Sequence, residues 1–248
     1  MTWEIGVNKF KHRMLTVRFQ DDERPEIGID EAGRGSFWGP LTAGAVCLPP
    51  LSEWTDEHHA VFLPIRDSKK LSPKKREALA TQLQDLLRDR CAVGMVSAEE
   101  INQHGITWAN REAFRRAIHG VGGADTHRLL IDGTLAIDDW TGEQHVIVEG
   151  DGTYLAIAAA SILAKVEHDR WIRAYAEEHP ACEERYHLVS SKGYGTATHR
   201  EAIRLYGGHI HHREAFIQNW IPGAPVKAKQ QGHAKQHAKQ TDECLIRF

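Results

Sequence analysis

A chain of 248 residues with 41% hydrophobic content can bury a sizeable core as one mixed domain, or as one domain plus a small appendage. No apolar run approaches the roughly 20 residues a membrane span requires, and Met1-Thr2-Trp3-Glu4 lacks the basic-then-apolar order of a secretory signal, so a cytoplasmic protein without a membrane partner is expected. The formal charge of −3 is uneven: residues 224–248 hold five Lys/Arg against two Asp/Glu, the remainder 26 against 32, and an acidic body argues against coating nucleic acid without specificity.

Residues 1–26 read as a polar N-terminal arm in which Met14, Leu15, Val17 and Phe19 could form a short strand. Ile27-Gly28-Ile29 then reads as a buried strand ending in two adjacent carboxylates, Asp30 and Glu31, with Gly33-Arg34-Gly35 as the turn that follows. Adjacent carboxylates repel unless a cation lies between them, and glycines flanking an arginine let backbone N–H groups approach an anion. Metal beside phosphate is the chemistry this order suggests; solvated acids on a surface turn are the plainer alternative for an isolated Asp-Glu pair.

Residues 41–48 make a second strand stopped by Pro49-Pro50, and residues 49–64 a loop. Ser72-Pro73 is the cap and first turn of a helix with Leu79, Leu83, Leu86 and Leu87 on one face. Lys69, Lys70, Lys74, Lys75 and Arg76 crowd its start, where cations are unfavourable. A phosphate-backbone contact would account for them, and a solvated helix end would do so equally.

Cys91–Val96 reads as a strand, and Ser97 as the cap of a helical region reaching about residue 119. Leu129-Leu130-Ile131 then runs into Asp132, and Val146-Ile147-Val148 leads through Glu149-Gly150 to Asp151. Three strand-like runs thus each deliver an aspartate where open α/β sheets place their sites. Residues 156–175 form a helix whose small residues let it lie close to a sheet, with Lys165 free to pair with a carboxylate or a phosphate. Tyr194, between Gly193 and Gly195, is either a turn residue or a stacking surface. His199, His209, His211 and His212 lack the cysteine pair or helix-spaced acid of a zinc site. Cys47, Cys91, Cys182 and Cys244 have no Cys-x-x-Cys spacing and indicate no disulfide framework. Residues 224–248 read as a flexible basic tail whose apolar end could dock weakly on a protein partner.

Asp30-Glu31-Ala32-Gly33-Arg34-Gly35, Asp67-Ser68-Lys69-Lys70-Leu71-Ser72, Leu130-Ile131-Asp132-Gly133, Gly150-Asp151 with residues 158–166, and Lys192-Gly193-Tyr194-Gly195-Thr196 occur in that order. Together, over residues 27–220, they resemble the type 2 ribonuclease H family, ribonuclease HII. The resemblance implies an α/β, ribonuclease H-like domain over residues 27–223, with a mixed central sheet flanked by helices and a helical C-terminal part. It implies a monomeric endonuclease of replication and repair that cuts the RNA strand of RNA–DNA hybrids and incises duplex DNA 5′ of single embedded ribonucleotides. Mg²⁺ or Mn²⁺ is the implied cofactor. Carried over by position, Asp30, Glu31, Asp132 and Asp151 take the catalytic and metal-binding roles, while Gly33, Arg34, Gly35 and Tyr194 bind substrate with Lys69 and Lys70. Ser36-Phe37-Trp38 and Glu149 depart from the family pattern, the first by bulk near the turn and the second by repelling a phosphate backbone. Another metal-dependent nuclease or phosphotransferase, and a silent hybrid-binding module, are the rival readings.

Overall fold

The computed structural model describes residues 15–65 and 71–223. Short runs of small and branched apolar residues form β1 (Glu26–Ala32), β2 (Leu41–Cys47), β3 (Cys91–Val96), β4 (Arg128–Asp132) and β5 (Gln144–Ile147). Among the described residues they make one five-stranded sheet in the order β3-β2-β1-β4-β5. β2 is antiparallel to β1 and β3, whereas β4 is parallel to β1 and to β5, so the sheet is mixed as expected.

Alternation along β1 sends successive side chains into different layers. Ile27 and Ile29 pack with Ala113, Phe114 and Ala117 of α4 (Ile106–Gly120). Gly28 faces α5 (Leu155–Glu178), where a Cβ would lie 2.2 Å from the backbone carbon of Ala156; one on Gly44 of β2 would lie 2.2 Å from the Ala160 carbonyl. Glycines on the sheet therefore meet alanines on the helix, and α5 lies on the strands at backbone distance. α2 (Pro73–Leu87), capped by Ser72 accepting from the Lys75 N–H at 3.4 Å, buries Leu79, Ala80, Leu83 and Leu87 beside α5.

Several local expectations change. β1 does not stop at the acids but runs through Ala32, because β2 continues to pair with it as far as Thr42. Residues 49–64 contain α1 (Asp56–Phe62), nucleated by a Thr55–His58 capping box and fixed by burial of Val61 and Phe62. The region after Ser97 is two helices, α3 (Ala98–His104) and α4, broken at Gly105, whose φ is +82°. β5 ends at Ile147; Glu149 turns left-handed at φ +56°, and Asp151 sits in the 3-10 turn Gly150–Gly152 rather than at a strand end.

The described part of the arm, residues 15–26, is stitched to the domain. Thr16 exchanges backbone hydrogen bonds of 2.8 and 2.9 Å with Thr153 and Leu155, and the buried Arg128 holds Gln20, Asp22, Glu26 and Glu143 at 2.6–3.1 Å. The C-terminal part is helical: α6 (Pro180–Tyr186), α7 (Leu188–Ser191), α8 (Ala197–Tyr206) and α9 (Glu214–Ile217). Its core includes Tyr186, Leu188, Ile203, Ile217 and Trp38. The bulk after the Gly-Arg-Gly turn thus points inward: Trp38 is fully buried, and Phe37 covers Gly195, where a Cβ would lie 2.4 Å from its ring. Among the described residues, no helix is long and apolar enough to cross a membrane.

Candidate active site

The parallel register pairs Ile29 with Ile131, which brings the next residues, Asp30 and Asp132, to the same end of adjacent strands. Asp30 points to the α5 layer, where Ser161 hydrogen-bonds it; Glu31 points to the α4 layer, beside Asn110. Burial pushes the Asp30 carboxyl well above the ordinary carboxylate range, Ser161 opposes the shift, and the charges of Asp132 and Glu31 add to it. Glu31 is also raised, by burial first, against the opposing charge of Arg34 and the amide of Asn110 and with a further push from Asp132. Asp132 Oδ1 accepts from the Gly150 N–H at 2.7 Å, which hangs the turn carrying the buried Asp151 on Asp132. Asp30, Glu31 and Asp132 lie at one end of β1 and β4, with Asp151 in the adjoining turn, and they do not close a cage: among the described residues, no three His, Cys, Asp or Glu side chains are gathered as a metal-holding group.

The turn and the tyrosine meet. Ser36 and Tyr194 form an antiparallel bridge, the Phe37 and Trp38 N–H groups donate to the Gly193 carbonyl at 2.8 and 3.0 Å, and burial raises the Tyr194 hydroxyl pKa against the opposing influence of the Gly33 backbone beside it. Gly33 has φ +78°, and a Cβ there would lie 2.3 Å from the buried His168 ring, so conformation and space both require glycine. Arg34 is exposed, with its guanidinium 3.9 Å from Glu31, and Gly35 is open to solvent. Lys69 and Lys70 lie outside the described residues. Arg76, the last of that basic run, turns inward and donates to the Leu71 carbonyl at 2.9 Å.

The ribonuclease HII profile matches residues 27–219, which span the sheet, the acids, the turn and Tyr194. The chain belongs to the ribonuclease HII family. A ribonuclease HII of Prochlorococcus marinus is 41% identical over 191 residues, covering 77% of this chain and 94% of that protein. The solved ribonuclease H2 of Pyrococcus horikoshii has the same fold, with TM-score 0.60 and 23% identity over 79% of this chain and 96% of that one. Bst-RNase HIII in complex with Mn²⁺ has TM-score 0.53 and 19% identity over 83% of this chain and 66% of that one. Membership in the ribonuclease HII family makes this chain an endoribonuclease of the ribonuclease H class, acting on RNA–DNA.

Around these motifs the structure adds residues that periodicity does not reveal. The buried Asp169 accepts from Lys165 at 2.6 Å and Lys192 at 2.8 Å, and the Lys165 ammonium lies 5.2 Å from the centre of the Tyr194 ring. Lys165 therefore pairs with a carboxylate, and two cations stand beside the tyrosine. Burial works to raise the Asp169 carboxyl, but hydrogen bonds from His168, Lys165 and Lys192 outweigh it and hold the group well below its ordinary range. Asn110 is fully buried and neither amide atom completes a hydrogen bond, although its dipole favours the charged form of Glu31. Its only sequence signal is that of an amide within the apolar stripe Ala109, Ala113, Phe114 and Ala117.

Proposed function

We propose that this enzyme cuts the RNA strand of RNA–DNA hybrids and incises duplex DNA on the 5′ side of single ribonucleotides, leaving a 3′-hydroxyl and a 5′-phosphate. The observation that carries the reading is the antiparallel bridge between Ser36 and Tyr194, which seats the tyrosine against the turn at the end of the strand bearing Asp30 and Glu31. A turn rich in backbone donors and an aromatic ring then flank one nucleotide. The turn is suited to bonding a 2′-hydroxyl and the ring to stacking on its sugar, which is how RNA is told from DNA at one position. Lys165, Lys192 and Arg34 supply cations for the flanking phosphates.

The chemistry of the donor set, carboxylates near one end of the sheet that are not gathered into a closed cage, suits divalent cations. Asp30, Glu31 and Asp132 disfavour one another's charge, and all-oxygen ligation suits Mg²⁺ or Mn²⁺. The Mn²⁺ complex of Bst-RNase HIII supports the same choice. Asp30, Glu31, Asp132 and Asp151 would hold two such ions, which supply charge neutralisation and activation of the attacking water. The chain's part is to align the phosphodiester through the turn, Tyr194 and the lysines so that attack is in line. The acidic body suits a monomer in the cytoplasm that engages nucleic acid at this one face.

The test is cleavage of a duplex carrying one ribonucleotide, beside an RNA–DNA hybrid and an all-DNA duplex, with Mg²⁺, Mn²⁺ or EDTA. Metal-dependent incision 5′ of the lone ribonucleotide, with all-DNA untouched, is expected. Cutting of hybrids alone would remove the single-ribonucleotide part of the reading.

A further inference from the structure

His199 and His212 are fully buried, and their contacts leave each ring one consistent neutral tautomer. The backbone N–H of His209 donates to His212 Nδ1 at 2.9 Å, so the proton of His212 is on Nε2. That atom lies 3.0 Å from His199 Nε2, which must accept, leaving the proton of His199 on Nδ1. His199 Nδ1 lies 3.1 Å from the carbonyl of Tyr194, a group that can only accept. A second proton on either ring would set two N–H groups against each other or against the His209 N–H. Burial supports the neutral state, holding His199 at about 4 and His212 well below its ordinary value.

We infer that His212 and His199 are positioning residues for Tyr194: the two imidazoles relay the backbone N–H of His209 to the Tyr194 carbonyl and tie the tyrosine to the segment ending in Arg213. The inference rests on Tyr194 being a substrate-facing group. The neighbouring Arg213 donates to the carbonyls of Gly33 and Arg34 at 2.6 and 3.0 Å. One dipeptide, His212-Arg213, therefore sets both halves of the substrate-sensing pair, the tyrosine through His199 and the turn directly. Trp38 holds the relay in place, stacked on His209 and edge-on to His212 with ring centres 4.6 Å away in both cases. The Tyr194 carbonyl has one other donor, the Thr196 N–H at 2.8 Å, so losing the relay leaves the peptide plane held from one side.

The tautomers are read directly by long-range ¹H–¹⁵N correlation of the imidazoles in the ¹⁵N-labelled full chain at pH 7. His212 is expected with its proton on Nε2 and His199 on Nδ1; the opposite tautomer or a cationic ring at either position overturns the relay. The second arm compares amide side chains that each replace one ring nitrogen. His212→Gln keeps a donor at the Nε2 position and His212→Asn does not, whereas His199→Asn keeps a donor at Nδ1 and His199→Gln does not. On RNA–DNA hybrid and on single-ribonucleotide duplex, kcat/KM is expected to fall roughly three- to tenfold further in His212→Asn than in His212→Gln, and likewise in His199→Gln than in His199→Asn, the worth of about one hydrogen bond. The reverse order, or losses that follow Tm alone, overturns the inference. If the expected order appears on hybrid while no enzyme form cuts at a lone ribonucleotide, the relay stands and the single-ribonucleotide reading falls.

Discussion

Arg213 and Gly33 are 180 positions apart in the chain, and Arg213 Nη1 donates a 2.6 Å hydrogen bond to the Gly33 carbonyl. The same guanidinium reaches the Arg34 carbonyl at 3.0 Å and, through Nε and Nη2, the Gly39 carbonyl at 3.1 Å. It is fully buried, and burial lowers its pKa to about 9, so it remains charged at neutral pH against carbonyl dipoles. Arg213→Lys keeps the charge but cannot span carbonyls on both sides of the loop. A loss of about 2–4 kcal/mol is expected from the carbonyls left unpaired. Calorimetry would show it as a Tm roughly 5–10 °C lower.

Asp132→Asn separates chemistry from fold. The asparagine Oδ1 can still accept from the Gly150 N–H, so the turn holding Asp151 keeps its anchor. Cleavage of an RNA–DNA hybrid should fall by on the order of a thousandfold or more as one charged group is lost from the centre. Circular dichroism and Tm should be essentially unchanged. A fully active variant would sink the assignment.

Asp30→Asn should stabilise the metal-free enzyme while abolishing cleavage. The raised pKa of Asp30 means that its contribution to stability is fully present below the ordinary carboxyl value and is lost as pH rises through the raised one. At pH 7 in EDTA, keeping this carboxyl in its buried site beside Asp132 and Glu31 therefore costs stability relative to the unfolded chain, and the neutral amide removes that cost. Melting of both forms at pH 5 and pH 7 checks the sign: the gap should favour Asp30→Asn and widen at pH 7.

Gly28→Ala forces α5 away from β1, because the new methyl would lie 2.2 Å from the Ala156 backbone carbon and 2.4 Å from the Ile157 nitrogen. Overpacking of this kind costs about 3 kcal/mol or more when backbone must move. It also shifts Asp30 relative to Ser161, so urea denaturation and kcat should both suffer. Gly152→Ala, with nothing within 4 Å of the added carbon, should change stability by only about half a kcal/mol.

The buried histidines add an acid limb to stability. Burial holds His199 and His209 at about 4, below the roughly 6.5 of an unfolded chain. Their contribution is present above that unfolded value and is lost as pH falls toward 4, each with a slope of at most about 1.4 kcal/mol per pH unit. Urea denaturation at pH 7.5, 6 and 5 should show a shallower decline for His209→Gln than for the unchanged protein. Equal slopes would mean that His209 is not held neutral in the folded state.

Local chemistry made much of this legible in the residues alone. β3 and α2 lie where the short apolar run Cys91–Val96 and the Ser72-Pro73 cap predict them, since both signals act within a few residues. α1 escaped because its capping box uses His58 in place of an acid and its anchors are only Val61 and Phe62. The split at Gly105 escaped because apolar spacing continues across the break.

By itself, the sequence determined that acid-tipped apolar strands, a Gly-Arg-Gly turn and a glycine-flanked tyrosine would occur in family order, because period, caps and turn residues are written in neighbouring positions. Only the tertiary structure decided that Asp30 meets Ser161 while Glu31 meets Asn110, that Asp151 hangs from Asp132, and that Lys165 and Lys192 share Asp169. It also decided that Trp38 faces inward, that His212 reaches Tyr194 through His199 and that Arg213 holds the turn at Gly33 and Arg34. These arrangements come from removing apolar surface from water and from finding partners for most of the buried polar groups, and both requirements are met between residues far apart in the chain.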